Sequence, residues 1–355
     1  MKPYRTAVVL GRFQIFHKAH KKLLDEAFTQ ADHVIVVLGS HRAALNIKNP
    51  FTAKEREEMI RRVYPDKDID FVVVPDRYYN DLLWVQDVLT KVRQTVNARN
   101  KNYQPRDICL CGYYKDSSSY YLDYFREAWS FEAHVSKINL SATEIRENYF
   151  LGTPNIIDWK RKVPPQVMEY LLDYQKLHPA QYDYFVEEYK FIRNYQLKTQ
   201  PTAQEIREGK KFPVQYVTVD NIVVQNGHVL MVVRKHMPGR GLWAFPGGFV
   251  NPKESLENAA LRELKEETTI DLNKSALRRQ IVDQHCFDHP ERDLRGRIFT
   301  HGFFYKLEDN KALPEVKAND DAARAFWVPW DEIIAYSDRV YSDHVHILSY
   351  FLNRF

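Results

Sequence analysis

Residues 247–270 read GGFVNPKESLENAALRELKEETTI, a pair of glycines followed by a stretch of helical character with clustered carboxylates. On a helix, Glu263, Glu266 and Glu267 are spaced i, i+3 and i+4, so they project from one face. Carboxylates this close repel each other unless a cation lies among them. Oxygen ligands favour Mg²⁺ or Mn²⁺ over zinc. The stretch therefore predicts a divalent-metal site; the alternative is a solvated surface helix.

Two residues outside this acidic face help to set the turn before the helix. Arg262 is placed to pair with Glu254 and so to hold that turn. From Gly248 to Ile270 the sequence resembles the Nudix box, G-x5-E-x7-R-E-U-x-E-E-x-G-U, where U is an aliphatic residue. Thr269 stands where the pattern has its last glycine. We therefore expect the turn after the helix to differ from the family's or to strain a β-branched residue.

The resemblance to the Nudix family implies roles for residues of the box. It gives the metal ligands as the carboxylates of one helix face and the glycine turn: Gly247, Gly248, Glu263, Glu266 and Glu267. Glu266 and Glu267 would also be catalytic, because a bound divalent cation neutralises a diphosphate and lowers the pKa of the attacking water. The family's general base often lies outside the box, and Asp320 and Asp321 are the nearest candidates. A merely solvated acidic pair is the alternative.

The sequence around the box predicts a domain of mixed α+β structure, a Nudix fold, over residues 211–355. Asn226-Gly227 separates two alternating apolar runs, which predicts a β-hairpin, and a C-terminal helix is expected from His344 to Phe351. Two flanking segments, 241–248 and 287–297, resemble the branch of the family that hydrolyses ADP-ribose. By that resemblance Trp243 and Arg297 would bind the substrate.

The first half of the chain alternates short β-rich runs with helical periodicity. This alternation predicts a Rossmann-like α/β domain over residues 1–178, a parallel sheet with helices on both faces. Ligands of such sheets bind at the carboxyl ends of the strands. Residues 179–210 are expected to be a helical connector.

The first predicted strand, Ala7–Leu10, leads into the segment GRFQIFHKAH at residues 11–20. A helix is expected to begin near its end, which places His17 and His20 where backbone N–H groups and the macrodipole favour phosphate. Gly11 lets a nucleotide approach the backbone closely. The alternatives are that the histidines are ordinary residues of a helix start, or that they ligate a metal.

A second helix start with an arginine is expected within INLSATEIR, residues 138–146. Ser141 and Thr143 are candidate N-caps, and Arg146 is suited to binding phosphate oxygens. Together with residues 11–20, this segment resembles the HxGH nucleotidyltransferase superfamily and its S-x-T-x-x-R partner motif. The adenylyl donor implied by this resemblance is ATP.

The segments NPFT at residues 49–52, YNDLLW at 79–84 and GYYKD at 112–116 narrow the resemblance to the archaeal-type nicotinamide mononucleotide (NMN) adenylyltransferases. Joined to a Nudix domain, the whole chain resembles the bacterial bifunctional NMN adenylyltransferase/Nudix hydrolases. Ile15 stands where the family usually has proline, and Ala19 where HxGH has glycine. The resemblance implies that ATP and NMN are bound by Gly11, Phe13, Asn49, Asn80, Asp81, Trp84, Gly112, Lys115, Asp116, Ser141 and Thr143.

The nicotinamide ring would stack on Trp84, with Asn80 or Asp81 as the polar partner of its carboxamide. A buried structural tryptophan is the alternative. The phosphate of NMN is already anionic and can attack the α-phosphorus of ATP directly, so no nucleophilic side chain is needed. The charge that develops would be offset by four basic side chains, with Mg²⁺ on the leaving pyrophosphate: Arg12, His17, His20 and Arg146.

The composition of the chain limits the kinds of partner and compartment that we expect for it. The net charge of the 355 residues is +4 and the basic residues are dispersed, which favours small nucleotides over nucleic acid as partners. Cys109, Cys111 and Cys286 are too few for a disulfide framework, which fits a reducing compartment. No segment reaches transmembrane length, so we expect a cytoplasmic protein that does not bind membranes. The sequence leaves the oligomeric state open, a homo-oligomer included.

Three hypotheses for the whole protein follow. The first is an enzyme that makes NAD from NMN and ATP and cleaves ADP-ribose to AMP and ribose 5-phosphate, with Mg²⁺ or Mn²⁺ at both sites. The second keeps the transferase but makes the C-terminal domain a non-catalytic module that binds ADP-ribose or NAD, and Thr269 motivates it. The third, a nucleic-acid-binding regulator, is disfavoured because no helix-turn-helix follows the last helix.

Overall fold

The computed structural model describes residues 2–112, 117–133, 140–152 and 158–354. The chain divides into two compact units, Met1–Tyr189 and Lys190–Phe355. The predicted domain limits at 178 and 210 stay predictions. No helix among the described residues is both long enough and apolar enough to cross a membrane.

The first unit contains a five-stranded parallel sheet in the order β3-β2-β1-β4-β5. The strands are β1 (Thr6–Gly11), β2 (His33–Leu38), β3 (Asp68–Val73), β4 (Ile108–Gly112) and β5 (Ser130–Ala133). The helices are α1 (Lys18–Gln30), α2 (Ala53–Val63), α3 (Asp81–Arg99), α4 (Ala142–Leu151), α5 (Pro165–Leu177) and α6 (Pro179–Thr199), which continues into the second unit. The predicted Rossmann-like α/β class is confirmed.

Alternation along the strands explains how helices cover this sheet. Val8 and Leu10 of β1 belong to one apolar cluster with Val88 and Val92 of α3, while α1 contacts β1 and β4. Every strand residue from Thr6 to Leu10 is buried, as expected of a parallel sheet between helices. The chain leaves β1 towards β2 on one side, and β4 pairs with β1 on the other. This is a topological switch point, and the end of β1 at Gly11 lies there.

The second unit is built on a mixed seven-stranded sheet whose main path is β10-β11-β6-β7-β12. Its strands are β6 (Gln215–Gln225), β7 (His228–Arg234), β8 (Trp243–Ala244), β9 (Gly247–Phe249), β10 (Ile281–Phe287), β11 (Arg297–Lys306) and β12 (Ala322–Pro329). Its helices are α7 (Ala203–Arg207), α8 (Leu256–Thr268), α9 (Lys274–Arg279), α10 (Trp330–Ala335) and α11 (His344–Leu352). The α+β class and the C-terminal helix are confirmed.

The Asn226-Gly227 hairpin is also confirmed. Gln225 pairs with His228, and both loop residues have positive φ, 48° and 73°, which suits the twist of a two-residue hairpin. Helix α8 begins after Ser255, whose hydroxyl accepts a hydrogen bond from the Asn258 N–H at 3.3 Å. Its apolar face packs against β6, β7 and β11, and its acidic face is left for the site described below.

Two candidate active sites

The two histidines predicted for the first site lie at the start of α1. His17 is the N-cap; its Nδ1 accepts from the His20 N–H, and the His20 Nδ1 accepts from the His17 N–H, each at 3.4 Å. Their rings stack with centroids 3.6 Å apart. Because each Nδ1 is an acceptor, the neutral rings carry their protons on Nε2. The two imidazoles therefore add donors to the N–H groups of a helix start at the switch point.

The glycine that ends β1 is required by local packing. A Cβ at Gly11 would lie 3.0 Å from the ring of Phe13, which is itself 2% exposed and has a φ of 51°. Phe13 in turn contacts the His20 ring edge-on at a centroid distance of 4.8 Å. Arg12 between them is exposed. Three predicted site residues, Gly11, Phe13 and His20, are thus brought together.

Arg146 lies on α4 and is 6% exposed. Its guanidinium donates to the backbone carbonyls of Ile47, at 3.1 Å, and Gln14, and to the Thr143 hydroxyl at 3.1 Å. In this arrangement Arg146 fixes the loop that carries the histidines, and its contact with a phosphate oxygen stays a prediction. Ser141 is the N-cap of α4, as expected, and accepts from the Glu144 N–H at 3.4 Å.

The remaining predicted site residues of this unit differ in burial and in hydrogen bonding. Asn80 is the N-cap of α3 and accepts from the Leu83 N–H at 2.9 Å, and the exposed Asp81 follows it. Trp84 is partly buried and meets Phe125 edge-on at a centroid distance of 5.8 Å, and its stacking on a nicotinamide ring stays a prediction. Asn49 is 4% exposed, and its Oδ1 has no hydrogen-bond partner among the described residues.

Gly112 ends β4, and a Cβ there would lie 3.2 Å from the Leu122 side chain. Lys115 and Asp116 lie outside the described residues.

The second site is the acidic face of α8 and the glycine turn before it. Arg262 bridges the carboxylates: it contacts Glu254 at 2.5 Å, Glu263 at 2.7 Å and Glu266 at 3.0 Å. Its hydrogen bonds hold the pKa of Glu254 down at about 2. The predicted pairing of Arg262 with Glu254 is therefore present, and it extends to two of the predicted metal ligands.

Glu267 is held differently from its neighbours. It is 8% exposed and accepts a hydrogen bond from the Gly247 N–H at 3.0 Å. Burial raises the pKa of Glu267 to about 8, and burial also raises the pKa of Glu263. Side chains at the glycines are excluded, because a Cβ at Gly248 would lie 2.5 Å from the Glu263 carboxylate and one at Gly247 would lie 2.1 Å from the Val219 carbonyl.

These carboxylates fit a hard divalent cation by their chemistry. The donors are all oxygens, and the raised pKa values of Glu263 and Glu267 show that negative charge on this face is unfavourable without a counter-ion. Within the described residues, no group of three or more His, Cys, Asp or Glu side chains is positioned so that it could hold a metal ion as it stands. The Arg262 bridge accounts for this, because it draws Glu263 and Glu266 to its guanidinium.

A cleft of about 380 Å³ joins the acidic face to a basic wall. Arg292 in this wall is buried against Asp343, with both nitrogen–oxygen distances at 3.0 Å, and Arg295 is held by Asp293 at 2.8 Å. His344 stacks on Phe245 and accepts its N–H at 2.9 Å. A cleft with carboxylates on one side and guanidinium groups on the other suits a diphosphate with its metal.

Sequence reasoning found only part of this lining. Asp320 and Asp321 border the cleft, as expected of a general base, and Asp320 has a φ of 50°. Trp243 and Arg297 are not among the cleft residues: Trp243 packs edge-on against Phe326, and Arg297 lies over the Phe299 ring. The cleft residues that were not singled out include Arg234, Arg292, Arg295, Tyr341 and His344.

Thr269 ends α8 in the left-handed conformation, with φ 43° and ψ 28°. This is the conformation that favours glycine at a helix end, and it is strained for a β-branched residue. The expectation of strain at this turn is confirmed. The Thr269 hydroxyl donates to the Lys317 carbonyl at 3.0 Å, which ties the turn to the segment that leads to Asp320.

Comparison with known proteins agrees with both halves. Residues 8–148 match the Cytidylyltransferase-like family model, and residues 215–351 match the NUDIX domain model. A nicotinamide/nicotinic acid mononucleotide adenylyltransferase from Acinetobacter baylyi is 40% identical over 148 residues, 41% of this chain and 75% of that protein. An ADP-ribose pyrophosphatase from Methanocaldococcus jannaschii is 37% identical over 110 residues, 31% of this chain and 59% of that protein.

One solved structure is similar over both units. A bifunctional NMN adenylyltransferase/ADP-ribose pyrophosphatase from Francisella tularensis, complexed with AMP and a manganese ion, has 31% sequence identity and a TM-score of 0.83 and covers 99% of each chain. The first unit is thus a nucleotidyltransferase domain and the second a Nudix domain. The chain belongs to the family of bifunctional NMN adenylyltransferase/ADP-ribose pyrophosphatases.

Proposed function

We propose that the first unit transfers an adenylyl group from ATP to NMN, and that the second hydrolyses ADP-ribose to AMP and ribose 5-phosphate. The paired histidines at the start of α1 support the transfer, and the acidic face of α8 opposite Arg292 and Arg295 supports the hydrolysis. Similarity to a bifunctional enzyme over the full chain joins the two activities.

In the transfer reaction, an oxygen of the NMN phosphate forms a bond to the α-phosphorus of ATP, and the bond from that phosphorus to the bridging oxygen breaks. The products are NAD and pyrophosphate. The chain supplies no nucleophile. His17 and His20 would donate from Nε2 to phosphate oxygens, Arg12 would add positive charge beside them, and Arg146 keeps the loop in place. Mg²⁺ would neutralise the leaving pyrophosphate.

In the hydrolysis, water attacks one phosphorus of the diphosphate, and the bond to the bridging oxygen breaks. Glu263, Glu266 and Glu267, with the turn at Gly247 and Gly248, would hold Mg²⁺ or Mn²⁺, which lowers the pKa of the attacking water. Asp320 or Asp321 would take the proton of that water. Arg292 and Arg295 would face the phosphate oxygens. A cytoplasmic location, the lack of a nucleic-acid partner and the oligomeric state stay predictions.

A substrate panel on the full chain tests the proposal. With Mg²⁺, ATP and NMN should release pyrophosphate and form NAD, and ADP-ribose should yield AMP. No release with NMN, alongside release with another phosphorylated acceptor, would contradict the first half. Binding of ADP-ribose without hydrolysis, with either Mg²⁺ or Mn²⁺, would favour the alternative of a ligand-sensing module, for which the strained Thr269 turn is the motivating observation.

A further inference from the structure

Arg56, on α2, is the largest of the fully buried side chains, with 1% of its surface exposed. Its side-chain hydrogen bonds to the described residues all go to backbone carbonyls: Nη1 donates to Arg12 and to Gly39, each at 2.7 Å, and Nε donates to Thr52 at 3.2 Å. A guanidinium group can make such contacts simultaneously because its donors are fixed in one plane. Arg56 therefore joins two separate loops to one helix.

The two loops that Arg56 joins follow the carboxyl ends of β1 and β2. Gly39 also donates its N–H to the Gly11 carbonyl at 3.0 Å, and Arg146 binds the carbonyl of Gln14. The carbonyls of Gly11, Arg12 and Gln14 are thus all occupied by contacts inside the unit. The shape of the segment between β1 and the histidines is consequently fixed by groups outside it.

The Arg12 contact also orients a peptide N–H. In a trans peptide the carbonyl and the following N–H point in opposite directions, so the N–H of Phe13 points away from Arg56. Among the described residues, this N–H has no hydrogen-bond acceptor. It belongs to the same loop as His17 and His20, and such backbone donors at a strand-to-helix connection bind anions.

Arg56 also carries a positive charge, in addition to its role in holding the two loops. Burial lowers its pKa to about 10, so the side chain remains a cation at neutral pH. None of its contacts within the described chain is an ion pair with a carboxylate; the carboxylates of Asp76 and Glu55 act on it from a distance, and Asp76 binds the N–H and hydroxyl of Ser40. A buried cation with carbonyl partners alone costs desolvation energy. Its positive charge adds to that of Arg12 beside the strand ends and is partly offset by Asp76 and Glu55.

We propose that Arg56 is a positioning residue for adenylyl transfer. It holds the loops after β1 and β2 so that Arg12, the Phe13 N–H and the histidines are aligned on the ATP phosphates, and its charge favours the same anion. The inference rests on the proposed transferase function. It predicts that the planar, two-carbonyl contact is needed, and that positive charge alone does not replace it.

The test compares Arg56→Lys and Arg56→Met with Arg61→Met in the full chain. Arg61 is a matched control because it lies on the same helix, is half-exposed and pairs with Glu57 at 2.9 Å. For each protein, kcat and KM for ATP and for NMN are measured per folded molecule, at a temperature well below the thermal unfolding midpoint. ADP-ribose hydrolysis by the same samples reports the second site.

We expect Arg56→Lys to lower kcat/KM for ATP by about tenfold or more and Arg56→Met by about 100-fold, while Arg61→Met and all hydrolysis rates stay within about twofold. A structural role alone would lower the unfolding midpoint and leave the constants per folded molecule unchanged, which would overturn the proposal. Full activity of Arg56→Lys would overturn it too. If the unmodified chain does not adenylylate NMN, the proposed function fails instead, and the Arg56 variants are not needed to show it.

Discussion

The two sites of this chain have opposite electrostatic character. At the start of α1, imidazoles, helix N–H groups and buried arginines form a site that attracts an anion. On α8, carboxylates with raised pKa values form a site that repels an anion until a cation has been added. The difference shows why one site can be built mainly from backbone geometry, whereas the other depends on side-chain spacing along one helix face.

The largest effect is expected from the removal of one carboxylate of α8, which should abolish one activity and leave the other. Glu267→Gln keeps an acceptor for the Gly247 N–H but removes a metal ligand, so we expect ADP-ribose hydrolysis to fall by more than about 100-fold. Adenylyl transfer should change by less than about twofold. Glu257→Gln on the same helix is the control, because Glu257 pairs with Arg278 away from the acidic face. Substantial hydrolysis by Glu267→Gln would contradict the assigned site.

The converse variant acts on the first site. His20→Ala removes one of the stacked imidazoles and the acceptor of the His17 N–H. We expect kcat/KM for NMN adenylylation to fall by about 100-fold, since this is the usual effect of losing a donor to developing phosphate charge. Hydrolysis should be unchanged. Loss of both activities in either single variant would show that the sites are coupled and not independent.

The pH dependence of stability without metal tests whether the carboxylates of α8 are unfavourable when charged. The pKa of Glu267 is about 8 in the folded chain against an ordinary 4.5, so the folded state binds more protons between these values, and stability falls as pH rises through that window. Glu267→Gln removes this pH-dependent loss of stability, because glutamine does not ionise. Without metal at pH 7 we expect the variant to be more stable by on the order of 2 kcal/mol, and no difference below pH 4.

Urea unfolding followed by tryptophan fluorescence, with chelator present, measures this difference. Addition of Mn²⁺ should stabilise the unmodified chain more than the variant. Equal stability of the two proteins from pH 4 to pH 8 would show that Glu267 is not desolvated as its burial indicates.

The smallest expected effect concerns the end of α8. Thr269→Gly relieves a left-handed β-branched residue but loses the hydrogen bond to the Lys317 carbonyl. We expect a net gain in stability of about 0.5 kcal/mol, read from the unfolding midpoint. Thr269→Ala, which keeps a Cβ in the left-handed conformation and loses the bond, is the matched control and should be less stable than Thr269→Gly. A less stable Thr269→Gly would mean that the hydrogen bond outweighs the strain.

Local spacing made much of the fold and part of each site predictable. The face shared by Glu263, Glu266 and Glu267 follows from helical periodicity, and the position of His17 at a helix start follows from the strand and glycine before it. Contacts between distant segments were not predictable. Arg56 meets Arg12 across 44 positions, and His344 meets Phe245 across 99. Trp243, by contrast, was expected to bind the substrate because residues 241–248 resemble the ADP-ribose-hydrolysing branch, yet its ring packs edge-on against Phe326.

Arg262 gives the acidic helix an internal counter-ion. Because its guanidinium already spans Glu254, Glu263 and Glu266, loading of a divalent ion is an exchange reaction in which one cation replaces another at Glu263 and Glu266 while Glu254 keeps the arginine. The exchange weakens the apparent affinity for the ion relative to bare carboxylates. Between turnovers the guanidinium of Arg262 offsets part of the negative charge of these three carboxylates.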